Sequence, residues 1–178
     1  AIVLGATIIA KEERDRTAEF IYTMPYSRKT IISGKIIAAA MNVLCMTIFT
    51  FLCIILTLVS QMNGESIMPE ILTTMIGMFF AQMLCLALGL FFSSLFKYHR
   101  TAMSMAISFF ALSFVLATVI EFVGNMEFLN FLTPFRYFFA PYVVTNGISP
   151  MYVLLSLFFA GVFVFFTYRL YEKRDIHC

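Results

Sequence analysis

Four stretches of this chain, residues 36–60, 71–96, 101–120 and 151–168, contain no charged side chain at all. They are 25, 26, 20 and 18 residues long. A helix rises about 1.5 Å per residue, and a bilayer core of about 30 Å needs about 20 residues, so each can cross. In lipid no water is available to the backbone, so each crossing segment must satisfy its own amides and carbonyls as a helix. Membrane strands would be shorter, nearer 10 residues, and would alternate polar and apolar, which these runs do not. Only 12% of the chain is charged and its mean hydropathy is +0.92. A soluble domain carries about 25% charged residues, so a water-facing fold lacks the polar surface it needs. The expectation is an all-α, polytopic transmembrane helix bundle.

The charges set its orientation. Eleven of the twelve basic residues fall in three segments. Residues 11–35 hold Lys11, Arg14, Arg16, Arg28, Lys29 and Lys35. The turn after the second run holds Lys97 and Arg100, and the tail holds Arg169, Lys173 and Arg174. The two remaining connections, 61–70 and 121–150, share only Arg136 and carry Glu65, Glu70, Glu121 and Glu127. Basic and basic-poor segments alternate, so residues 11–35, 97–100 and 169–178 are expected in the cytoplasm. Residues 1–10 are apolar but too short to cross. They also lack the basic start of a signal peptide. The sequence reading takes them as the inner end of a preceding helix, cut at its N-terminus, beside four full spans.

Within residues 11–35 a charged block, Lys11 to Arg16, precedes Thr17, Phe20, Ile21 and Met24 at helical spacing, with Glu19 on another face. This reads as an amphipathic cytoplasmic helix. Pro25 disfavours a helical Met24, and Ser27 can cap a new helix leading through Gly34 and Lys35 into the first span. On residues alone, a helix lying in the headgroups and a helix docking a partner are both open. The outer connection 121–150 is rich in aromatics (Phe122, Phe128, Phe131, Phe135, Tyr137, Phe138, Phe139, Tyr142) and holds Pro134, Pro141 and Pro150. A re-entrant or interfacial element broken at the prolines is expected there.

The polar residues inside the runs, Asn42, Gln82, Ser93, Ser94, Ser104, Ser108 and Ser113, are expected to bond between helices. Gly89 with Ser93, and Ala102 with Ala106, are small pairs that permit close packing. With no charge deep in a span, a proton relay or voltage sensor is disfavoured. Cys45, Cys53 and Cys85 lie in apolar runs as small hydrophobes, and with Cys178 they form no C-x-x-C pair or zinc pattern. Neither a phosphate-binding G-x-x-x-x-G-K-[ST] loop nor an H-E-x-x-H or G-x-S-x-G motif is present. The runs contain no His or Asp for intramembrane hydrolysis, and His99 and His177 stand alone. The residues therefore argue against an enzyme, and a net charge of +2 gives no reason to expect nucleic acid.

The series Glu12-Glu13-Arg14-Asp15-Arg16-Thr17-Ala18-Glu19-Phe20-Ile21, then Pro25-Tyr26-Ser27-Arg28, then Gly34-Lys35, resembles the cytoplasmic segment of ABC-2 type transporter permeases. Pro134-Phe135 and the tail Tyr171-Glu172-Lys173-Arg174-Asp175-Ile176 also look like that family. The sequence departs from the pattern at Asp15-Arg16, where a glycine is common before Thr17. Members have six transmembrane helices, which fits an N-terminally truncated chain. The resemblance implies the permease subunit of an ABC transporter, an exporter, in the cell membrane, with lipid around it. A separate ATP-binding subunit would hold ATP and Mg, so this chain would need no cofactor. A second permease half, identical or related, would complete the pathway. The segment between the second and third family helices would be the coupling helix, placing Glu13, Thr17, Glu19, Phe20, Pro25, Ser27 and Arg28 at the ATPase contact. Uncharged spans suggest an amphipathic or apolar substrate, a lipid-like molecule, peptide or drug, although the family also exports polar polymers. The alternative is a non-transporting anchor or sensor that docks a cytoplasmic partner.

Overall fold

The computed structural model describes residues 1–8, 28–59, 68–96, 98–123, 137–138, 143 and 147–172. Among these the regular elements are all helices: α1 (Ile2–Ile8), α2 (Arg28–Val59), α3 (Met68–Leu95), α4 (His99–Val123) and α5 (Pro150–Glu172). The last four are long and apolar enough to span a membrane. All four overrun the uncharged stretches of the sequence. α2 begins at Arg28 and carries Lys29 and Lys35 inside it, and α3 takes Glu70 into its first turn. A helix can continue through the headgroup layer because its charged side chains reach water there. An acid in the first turn also faces the positive end of the helix dipole.

The end of the outer connection is built by local chemistry. Gly147 has φ +74° and its N–H donates to the Val143 carbonyl at 2.9 Å. That is the left-handed cap of a helical turn, a conformation glycine adopts without steric cost. Ser149 and Pro150 follow, a residue type favoured at the helix N-cap and one favoured at the first helical position. The Ser149 carbonyl accepts from Tyr152 N at 3.1 Å, and α5 begins.

Helix α3 is the axis of the bundle and packs against α1, α2, α4 and α5. Buried residues make up 39% of an apolar 18-residue stretch of it, against 17%, 17% and 11% in those of α2, α4 and α5. Hydrophobicity cannot draw helices together in lipid, so close packing and hydrogen bonds must hold them. Small residues make that approach possible. A Cβ on Gly89 would stand 3.0 Å from Gly5 Cα and 2.9 Å from the Ala6 amide nitrogen. A Cβ on Gly5 would stand 2.9 Å from Leu90 N and 3.1 Å from Gly89 C. The backbones of α1 and α3 therefore touch. Ala6, Ser93, Ala102 and Ala106 are fully buried around this crossing and the adjoining α4 contact.

Adjacent phenylalanines on α3 then face different neighbours. Phe91 meets Phe163 of α5 at 5.5 Å between ring centroids, and Phe92 meets Phe109 of α4 at 5.6 Å.

Candidate functional site

Of the residues expected at the partner contact, Glu13, Thr17, Glu19, Phe20, Pro25 and Ser27 lie outside the described residues. Arg28 is the first residue of α2, and only its backbone is described. The helix ends that flank residues 9–27 are both anchored. Leu4 and Ile8 of α1 and Ile32 and Ile36 of α2 pack into one cluster with Leu86 and Leu90 of α3 and Tyr168 and Tyr171 of α5. The helix ends on either side of residues 9–27 thus sit in the same packed core.

Hydrogen bonds at Ser33 and Thr47 join α2 to its neighbours. Near its start, Ser33 Oγ lies 2.8 Å from the Tyr168 hydroxyl of α5. Ser33 Oγ also donates to the Lys29 carbonyl at 2.8 Å, so the Tyr168 O–H is left to donate to Ser33. Fourteen residues later, Thr47 Oγ1 lies 3.1 Å from Gln82 Oε1 of α3 and 2.9 Å from the Val43 carbonyl. The hydroxyl has one proton for two acceptors. Turning the Gln82 amide over resolves this, with Nε2 donating to Thr47 and Thr47 donating to Val43. Thr47 is the last buried residue among the described side chains of α2; those beyond it are half-buried or exposed, with Phe49 at 65% and Leu56 at 76%.

The expected interhelical bonding is thus found at Gln82. Ser94 instead turns back on its own helix, donating to the Phe91 carbonyl at 2.7 Å. Asn42, Ser104 and Ser108 face outward. Sequence reasoning missed Ser33, Thr47 and Tyr168. Each is polar within or beside an apolar run, but the partner of each is set by helix rotation rather than by local pattern. Ser156 and Thr167, also missed, are buried and satisfied within α5 by the Val153 and Phe163 carbonyls.

At the outer end, the described aromatics of the connection fold onto the bundle. Tyr137 is 3% exposed and stacks on Tyr152 of α5 at 5.3 Å and 11°. Phe138 stacks on Phe80 of α3 at 6.0 Å and lies over Gly77, where a Cβ would come within 3.3 Å of its ring. Burial, and secondly the neighbouring Tyr152, push the Tyr137 hydroxyl up to about 12. Among the described residues no group of His, Cys, Asp and Glu could hold a metal ion.

Comparison with curated proteins finds no match. The family model described as ABC-2 family transporter protein matches residues 1–176, nearly the whole chain. Four membrane-crossing helices and this match lead to one conclusion: the chain belongs to the ABC-2 transporter family and is a multi-pass membrane protein, a permease component of an ABC transporter.

Proposed function

We propose that the chain is the permease of an ATP-driven exporter in the cell membrane. Its energy comes from ATP and Mg bound by a separate ATP-binding subunit. That subunit docks on residues 11–35, with Glu13, Thr17, Glu19, Phe20, Pro25, Ser27 and Arg28 at the contact, and residues 1–178 act as one transmembrane domain. A second permease half, a copy or a relative, lies across the pathway. The observation that carries the reading is the anchoring of Ile8 and Ile32 in one cluster with α3 and α5. A force applied to residues 9–27 acts on helices that are already packed together, so it reaches the spans instead of being absorbed by a loose tether. Export follows from the family resemblance. The apolar character of the spans favours an amphipathic or apolar cargo, and a preference for a polar glycan over a hydrophobic peptide in reconstituted vesicles would overturn that choice.

The test is to purify the full-length native protein in detergent, with and without Arg28→Glu. An ATP-binding subunit is expected to co-purify with the wild type. Its retention should fall about tenfold or more on charge reversal, as when a desolvated interfacial charge loses its partner. Co-purification of other proteins but no ATPase would instead make the chain an anchor or sensor.

A further inference from the structure

We propose that the seam between α2 and α5 binds an anionic phospholipid, with its phosphate at Lys29 and Arg169 and one acyl chain in a groove beyond the Ser33–Tyr168 contact. The inference goes beyond the transport reading and does not depend on it.

The two helices meet at their basic ends. Ser33 of α2 is bonded to Tyr168 of α5, and Ile32, Ile36, Tyr168 and Tyr171 share one packed cluster. Beyond that contact the same two faces are open. Four and eleven residues on from Ser33, on its face of α2, stand Ile37 and Leu44, both exposed. Seven and eleven residues back from Tyr168, on its face of α5, are Gly161 and Leu157. Leu157 is exposed, and a Cβ on Gly161 would meet nothing within 4 Å. The seam is therefore closed at one end by a hydrogen bond and open above it, with a notch at Gly161. From Ser33 to Leu44, and from Tyr168 to Leu157, is about 16 Å along the axis. Half of a bilayer core is about 15 Å deep, so the groove has the length of one leaflet's acyl chain.

The closed end carries the charge. Lys29 is exposed one turn before Ser33, and its carbonyl accepts the Ser33 hydroxyl. Arg169 is exposed next to Tyr168, and its guanidinium lies 5.6 Å from the centroid of Phe165, one turn towards the hydrocarbon. That contact holds a cation at the depth of the headgroups. The segments expected on this side hold eleven basic residues against six acids. Ammonium and guanidinium groups make charge-assisted hydrogen bonds to phosphate oxygens. An anionic headgroup complements this end, whereas a zwitterionic one brings its own cation. The cytoplasmic leaflet is the one that carries anionic lipid.

The test is native mass spectrometry of the full-length protein in dodecyl maltoside with dioleoylphosphatidylglycerol, dioleoylphosphatidylcholine or inorganic phosphate. The wild type should retain phosphatidylglycerol about tenfold or more over phosphatidylcholine, and inorganic phosphate should not displace it. Lys29→Gln and Arg169→Gln should each weaken phosphatidylglycerol about fivefold, and together they should erase the preference. Gly161→Leu leaves both charges and fills the notch, so it should weaken both lipids without lowering the unfolding midpoint. Wild-type retention in Gly161→Leu overturns the groove, and an undiminished preference in the doubly neutralised protein overturns the headgroup site. Displacement by inorganic phosphate would make the end a free-phosphate site. A dimer that Gly161→Leu splits would put a second copy in the seam instead. Phosphatidylglycerol with a photoreactive acyl chain should label residues 37–44 and 157–161. Label spread evenly over the exposed faces of α4 and α5 would mean surrounding bilayer lipid only, and would also overturn the proposal.

Discussion

At Gly5 and Gly89 a single hydrogen in place of a side chain decides whether two helices can meet. Gly89→Val puts carbon where the Ile2 carbonyl and the Ala6 amide already are, so α1 must move away from α3. The expected cost is about 1–3 kcal/mol, the usual effect of overpacking, seen as a lower unfolding midpoint in detergent. Gly161→Ala is the control. Nothing lies within 4 Å of the added methyl, and a helical glycine gains from the change, so the midpoint should hold or rise. Gly89 was visible in the sequence through its spacing to Ser93. Gly5 was not, because a glycine in a short run does not reveal which backbone will approach it. Tyr137 gives a pH test at the same scale. Its folded-state value of about 12 lies above the ordinary 10.0, so its contribution is complete below pH 10 and is lost as pH rises from 10 towards 12. Tyrosinate absorbance against pH should show a late-titrating component that Tyr137→Phe removes. A Tyr137 signal near pH 10 would mean that the stack on Tyr152 is open to water.

Helices hold together here by a few polar contacts and by close packing, which makes the α2–α3 pair measurable. Thr47→Val keeps the shape and Gln82→Leu keeps most of the volume, so a double-mutant cycle isolates the bond between them. A coupling of about 0.6 kcal/mol, up to about 2, is expected from interhelical bonds in other membrane proteins. Zero coupling in the unfolding free energies would show that Gln82 bonds elsewhere. Charge counting gave the uncharged runs, and Ser27 as a cap put the start of the first long helix upstream of Lys35. The helix begins at Arg28 and keeps Lys29 and Lys35 within it because the side chains, and not the backbone, need the water. The junction before α5 was only partly legible. Pro150 marked a break, but the cap at Gly147 depends on φ +74°, which pattern alone does not give. Gly147→Ala should cost about 1 kcal/mol or somewhat more through that left-handed backbone. A thermal midpoint equal to the wild type would show that the turn can adopt another conformation.

Across the whole molecule, orientation is the property on which the docking reading depends. The alternation of basic and basic-poor connections predicts the α3–α4 turn in the cytoplasm with residues 11–35, and the far end of α4 on the opposite side. The folded chain supplies a labelling site at each place. Tyr98, in the turn between α3 and α4, is 77% exposed, and Phe122, in the last turn of α4, is 87% exposed. Fifteen or more apolar residues of α4 separate them, so a membrane-impermeant maleimide cannot reach both from one side. In intact cells of a cysteine-free background, Phe122→Cys should label and Tyr98→Cys should not. Opening the membrane should expose Tyr98→Cys fully. The reverse pattern would place residues 11–35 outside the cell, where no ATP-binding subunit works. The family fold would then stand, but Arg28 and its neighbours could not be a coupling surface.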